Sequence, residues 1–224
     1  MEQEDVVEHL DRKISDIAEA GYLNSEFDGK RHSIFPVAID PLEGRALQRW
    51  LEAEHASRVI EIGLGYGFAT LNALAALLRL DNKSATYFAI DPNQEKRFSN
   101  IGLNFLYEFF DPKRIEFSQK SSELILPQLV DRNILFDFAI VDGNHRFDAV
   151  FIDLFFLEKL LLPGCAVFLD DYQLPAIRKA IDFFCKNLEW EIEEVSEYSE
   201  NHQWVIVRTR GERLNRAFDF FVDF

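Results

Sequence analysis

Three stretches of this 224-residue chain carry side chains whose types and spacing could do chemistry. The first is Glu61-Ile62-Gly63-Leu64-Gly65-Tyr66-Gly67, which continues an apolar run from Arg58. Glycine lets a backbone approach a ligand closely, and three at alternate positions exceed what a tight turn needs. The second is the end of the next apolar run, Phe88-Ala89-Ile90-Asp91. A carboxylate there can accept hydrogen bonds from both hydroxyls of a ribose, although the same residue could cap the helix that follows. The third is a pair of run ends, Val141-Asp142-Gly143-Asn144-His145 and Leu169-Asp170-Asp171. If those runs are neighbouring strands, about 4.8 Å apart, their aspartates converge. Three carboxylates that close repel one another unless a cation joins them, and an all-oxygen donor set favours Mg²⁺. His145, near its ordinary pKa, could take a proton from a hydroxyl at neutral pH; it could equally hydrogen-bond locally at its helix start.

Positioning these residues calls for alternating strands and helices. Short, continuously apolar runs at Arg58–Ile62, Ala85–Ile90, Arg114–Phe117, Phe136–Val141 and Cys165–Leu169 predict parallel strands covered on both faces. Helical patterns fall between them at 68–80, 93–110, 121–132 and 146–162, and another follows at 174–188. Upstream, the apolar positions 6–20 predict a helix ended by Gly21, and the stretch 24–39 lacks any period and reads as a loop. Asp40-Pro41-Leu42-Glu43 has the form of a helix start, with the helix running to about Ala53. Trp190–Glu197 and Gln203–Val207 read as an antiparallel pair at one sheet edge, and Glu212–Phe224 as a short helix with an aromatic face. The sum is one doubly wound α/β domain over 1–224: an N-terminal helix and possible lid at 1–39, a core at 40–210 and a tail at 211–224.

Bulk composition narrows the partners. The formal net charge is −15, and an acidic surface repels phosphate backbones, so nucleic acid is not expected as a substrate. No apolar stretch is long enough to span a membrane, and the acidic start Met1–Asp5 is unlike a leader peptide. Cys165 and Cys185 read as core thiols in a reducing compartment, and a cytoplasmic location is the expectation. The 22 phenylalanines point to aromatic core packing, and the phenylalanine-rich tail leaves a homodimer open. Asp153 lies inside a helix and reads as structural; His9, His32, His55 and His202 have no constellation around them and read as surface residues.

The glycine spacing separates two nucleotide families. A dinucleotide fold wants G-x-G-x-x-G, and Phe68 stands where its third glycine belongs. E-x-G-x-G-x-G instead resembles motif I of the class I S-adenosylmethionine-dependent methyltransferases. That resemblance implies that Glu61, Gly63, Gly65 and Gly67 line a cofactor site, with Ser122 and Glu123 beside the adenine. Ser122 and Glu123 are also the residue types of a helix cap. The segment Asp142–Phe147, followed by Leu162-Pro163-Gly164 and Leu169–Tyr172, resembles the branch related to catechol and caffeoyl-CoA O-methyltransferases and to sugar-type small-molecule methyltransferases. Asn144 and Phe147 depart from that pattern. The resemblance covers about 40–185 and implies a seven-stranded sheet in the order 3-2-1-4-5-7-6 with the last strand antiparallel. It also implies S-adenosylmethionine as cofactor, Asp142 among the cofactor-binding and catalytic residues, Mg²⁺ on Asp142, Asp170 and Asp171, and His145 as base. The expected activity is O-methylation of a small molecule. An NAD(P)-dependent oxidoreductase and a non-catalytic S-adenosylmethionine-binding protein are the alternatives.

Overall fold

A computed structural model describes residues 3–197, 202–212 and 216–224. Helix α1 spans Gln3–Ala20, and the 24–39 segment, expected as a loop, contributes a small hairpin of β1 (Tyr22–Asn24) and β2 (Arg31–Ser33). Strands of three residues are too short to show a period, so the sequence pattern misses them. Helix α2 (Pro41–Ala53) starts as its sequence predicts. The Asp40 carboxylate accepts from the Leu42 and Glu43 amides, and the Glu43 carboxylate accepts from the Asp40 amide at 2.8 Å.

The main sheet holds β3 (Arg58–Ile62), β4 (Thr86–Ile90), β5 (Ile115–Ser118), β6 (Phe136–Val141), β7 (Leu161–Leu169), β8 (Glu191–Val195) and β9 (Val205–Arg208). Their order is β5-β4-β3-β6-β7-β9-β8, with β9 antiparallel to both neighbours. Counted from β3 this is 3-2-1-4-5-7-6, as expected. The polar turn expected between β8 and β9 falls on residues 198–201, which lie outside the described residues.

Alternate residues of each strand feed opposite layers, because side chains switch face at every step. Val59, Phe138, Phe168 and Ile206 join the core under α1, α2, α3 (Phe68–Arg79) and α4 (Ile101–Phe109). Ile60, Ile62, Val141, Leu169 and Val205 join the core under α5 (Ser122–Asp131), α6 (Phe147–Leu160) and α7 (Pro175–Leu188). Burial on both faces explains why these runs are continuously apolar.

Two expected helices are corrected. The pattern at 93–110 yields helix only from Ile101, because Ser99 and Asn100 adopt left-handed backbone (φ 51° and 56°) and turn the chain first. The tail carries no helix among its described residues 216–224, and Phe218 and Phe221 stand exposed there. No described helix is long and apolar enough to cross a membrane.

Candidate active site

The glycine stretch lies where β3 gives way to α3. Gly63 sits at φ 95°, and a Cβ added there would lie 2.1 Å from the Asp142 carbonyl oxygen. The contact follows from the sheet: β3 and β6 run side by side, and the Asp142 amide donates to the Ile62 carbonyl at 2.9 Å. Gly65 also has a left-handed backbone (φ 53°), but open space surrounds the place of its missing side chain. Gly67 precedes α3 at φ 82°, and a Cβ there would come within 2.6 Å of the Gly102 Cα in α4.

The open space belongs to a cavity of about 690 Å³ at the carboxyl edge of the sheet. Its walls include Gly63, Gly65, Asp91, Ser122, Glu123, Asp142, His145 and Asp171. That set holds most of the residues singled out by sequence, gathered from beyond the ends of five parallel strands. Asp91 is buried and already well used: its carboxylate accepts from the Gly65 amide (2.9 Å), the Gln94 side chain (2.8 Å) and the Asn93 amide (2.7 Å). It therefore both caps the turn after β4 and braces the glycine loop. Ser121 donates to Glu123 at 2.7 Å at the start of α5.

Two expected cavity residues sit elsewhere. Glu61 points to the other face of β3, fully buried, where it accepts from Tyr87 (2.8 Å) and Thr70 (2.9 Å). Period-two alternation dictates this, since Ile62 and Ile60 take the opposite face. Gly67 packs on α4 and is absent from the cavity wall. Both shape the loop from behind.

The carboxylates after β6 and β7 are organised by His145. Its Nδ1 lies 2.8 Å from Asp171 Oδ2 and its Nε2 3.5 Å from Asp142 Oδ1. Burial works against charge on this imidazole, but Asp142 and Asp171 outweigh it and push its pKa up to about 10. The expectation of an unperturbed histidine is thereby corrected. Burial and the nearby Asp170 push Asp142 up, whereas burial of Asp171 is more than offset by His145, which holds it down. Asp170 is buried, and its Oδ1 accepts from the Asp171 amide at 2.6 Å. The three aspartates do not meet at one point. Among the described residues, the acidic and histidine donors within 4.8 Å of one another are those of Glu43, Asp170 and His202. An imidazole between Asp142 and Asp171 supplies the positive charge that a bare trio of carboxylates would need.

A family model described as a methyltransferase domain matches residues 60–172. The chain belongs to this methyltransferase family. The match runs from β3 through the Asp170-Asp171 turn, so it takes in both the glycine loop and the acidic strand ends. Solved structures share the fold over nearly the whole chain. The O-methyltransferase TomG from Streptomyces achromogenes, involved in tomaymycin synthesis and in complex with SAM, is 20% identical, with a TM-score of 0.67 over 88% of this chain and 89% of that one. The O-methyltransferase from Bacillus cereus in complex with SAH is 13% identical, with a TM-score of 0.68 over 92% and 91%. A putative O-methyltransferase from Klebsiella pneumoniae is 13% identical, at 0.67 over 90% and 89%. The nicotinamide alternative gives way to the methyltransferase one.

Several residues of this methyltransferase's cavity region escaped the sequence reading. Gln94, fully buried, donates to the Gly65 carbonyl (2.7 Å) and accepts from the Leu103 amide (3.1 Å), tying loop, turn and α4 together. Pro36 and Val37, from the segment after β2, also wall the cavity. His32, expected on the surface, is half-buried against Asp28 (3.1 Å) and the Tyr66 ring, so the hairpin is fastened to the glycine loop. His202 is likewise half-buried. Asp153, expected as structural, is buried in α6, and burial pushes its pKa up to about 7 against a hydrogen bond from Ser122.

Glu61 gives a pH prediction. Burial, only partly offset by Tyr87 and Thr70, pushes its pKa from 4.5 to about 8. A raised folded-state pKa contributes stability fully present below 4.5 that is lost as pH rises through about 8. Glu61→Gln cannot ionise. Its melting temperature relative to the unmodified chain is expected to rise steadily from pH 5 to pH 9, and a pH-independent difference would show that Glu61 ionises as in water.

Proposed function

We propose that this methyltransferase takes S-adenosylmethionine as its cofactor and methylates a hydroxyl of a small molecule. One observation carries the cofactor: Gly65 leaves open space on the cavity wall beside Gly63 while Asp91, one strand over, holds the Gly65 amide. A methionine portion can lie along the loop, and the ribose can reach Asp91. Asp91 Oδ1, which takes only the Asn93 amide, keeps a lone pair for a ribose hydroxyl, whereas Oδ2 already takes the Gly65 amide and the Gln94 side chain. Ser122 and Glu123 border the cavity where an adenine would extend. The acidic wall of Asp91, Asp142 and Asp171 suits a cationic sulfonium, and its TomG and Bacillus cereus structural neighbours carry SAM and SAH.

The reaction is an in-line displacement, in which the enzyme's contribution is alignment and proton removal. The acceptor oxygen forms a bond to the methyl carbon, the carbon–sulfur bond breaks, and its electron pair returns to sulfur as a neutral thioether. The hydroxyl proton goes to His145. Asp171 holds Nδ1 at 2.8 Å, while Nε2 faces Asp142 Oδ1 at 3.5 Å without a hydrogen bond, and Nε2 is the nitrogen that would receive that proton. A histidine pushed up to about 10 is charged at neutral pH, so the base form grows with pH and with an adjacent sulfonium. Mg²⁺ on Asp142, Asp170 and Asp171 does not fit this arrangement, because His145 bridges two of them and Asp170 turns towards Glu43 and His202.

Calorimetry with S-adenosylhomocysteine tests the cofactor. Asp91→Ala is expected to weaken binding by about 1–3 kcal/mol, roughly 5- to 150-fold. Binding of NAD with no binding of S-adenosylhomocysteine would overturn the assignment.

A further inference from the structure

Glu43, Asp170 and His202 come from three separate parts of the chain: the first turn of α2, the end of β7 and the approach to β9. Each offers a donor atom, and these lie within 4.8 Å of one another. Two of these residues carry a buried atom without a hydrogen-bond partner. Glu43 is only 2% exposed; one of its oxygens takes the Asp40 amide, while Oε1 is buried with no hydrogen bond. His202 Nδ1 is likewise buried without one. Two buried carboxyls facing each other beside an unpaired imidazole nitrogen is a costly arrangement, since buried polar groups are ordinarily satisfied.

We propose that Glu43, Asp170 and His202 form a site for a divalent transition-metal ion, of the Zn²⁺ or Mn²⁺ class. Two carboxylates and an imidazole suit such an ion better than Mg²⁺, which prefers oxygen donors throughout. Three protein ligands leave coordination positions open, as exchangeable sites do. Glu43 and His202 also line a second cavity, of about 470 Å³, that shares no wall residue with the larger one. Asp40 and Glu197 add negative charge to its wall, which favours entry of a cation, while Glu194 there is paired with Arg49 at 2.8 Å. The ion would take the place of a proton shared by the two carboxyls, so its uptake releases protons and tightens as pH rises. It would also pin the segment before β9 to the start of α2.

The full-length chain, stripped with a chelator, is titrated with Zn²⁺, Mn²⁺ and Mg²⁺ by calorimetry. One equivalent of Zn²⁺ or Mn²⁺ is expected, bound more tightly than Mg²⁺. Glu43→Gln and His202→Ala are each expected to weaken uptake by about tenfold or more, whereas Asp142→Asn leaves it within about twofold. Glutamine at position 43 can still accept from the Asp40 amide, so α2 keeps its start, and circular dichroism checks the fold. Co²⁺ gives a second readout: a visible absorption band that disappears in His202→Ala. No stoichiometric uptake would overturn the site, as would uptake that survives both variants. Loss in Asp142→Asn with retention in Glu43→Gln would overturn it too, by putting the ion at the three aspartates. S-adenosylhomocysteine binding, read in parallel, tests the cofactor assignment on its own, because neither Glu43 nor His202 walls that cavity.

Discussion

Gly63→Ala is expected to cost the chain about 4 kcal/mol, a large share of the roughly 5–15 kcal/mol that holds a domain folded. Two effects add. A non-glycine residue at φ 95° is strained by about 1–3 kcal/mol. The new Cβ would then overlap the Asp142 carbonyl oxygen at 2.1 Å, and overpacking against backbone costs about 1–3 kcal/mol more. Nothing flexible stands there to yield, because both residues directly follow adjacent, paired strands of the central sheet and the atom struck is backbone. Gly65→Ala is the informative contrast. Its Cβ meets nothing within 4 Å, so the fold loses only about 1 kcal/mol of backbone preference. That Cβ enters the cavity instead, and S-adenosylhomocysteine affinity is expected to fall by about tenfold or more. Denaturant melts and calorimetry on the pair separate a glycine the sheet needs from one the ligand needs. Equal stability losses in both would remove Gly65 from the cofactor wall.

His145→Ala is expected to lower kcat by about 10²–10⁴, the usual contribution of a positioned base, with little change in S-adenosylhomocysteine affinity. Because burial is outweighed by Asp142 and Asp171 and the imidazole pKa lies at about 10, kcat should climb with pH from 7 towards 10. The slope should vanish in the alanine variant. Asp171→Asn removes the charge holding Nδ1, so its profile should shift to lower pH while the maximum rate falls. A flat profile in the unmodified chain, or full activity in His145→Ala, would remove the base role and leave alignment alone to account for turnover.

The parts legible in the sequence were those written in local spacing. The glycine loop and the five apolar runs are contiguous, so periodicity and turn chemistry locate them, and the sheet order followed from a resemblance carried by those same residues. What escaped was assembled by the fold. Glu43 announces itself only as a capping residue, and its second oxygen acquires a neighbour because β7 ends beside α2. His202 stands alone in sequence and meets Asp170 through the antiparallel placement of β9. Glu61 was misplaced by motif analogy, although strand alternation with Ile60 and Ile62 already assigned it to the opposite face. His145 was assigned an ordinary acidity because its two carboxylate neighbours lie on different strands.

The backbone contact between Gly67 and Gly102 has a consequence for how this chain can change. A Cβ on Gly67 would strike the Gly102 Cα at 2.6 Å, and a Cβ on Gly102 would meet the Gly65 carbonyl at 2.8 Å and the Gly67 amide at 3.0 Å. Neither substitution relieves the other, since each adds atoms to the same gap. A mutational path that enlarges one position therefore has no tolerated first step, and no second step that compensates. Variation reaching the cofactor region must enter through the open side at Gly65, or through side chains such as Phe105 that touch this gap and can be exchanged for smaller ones.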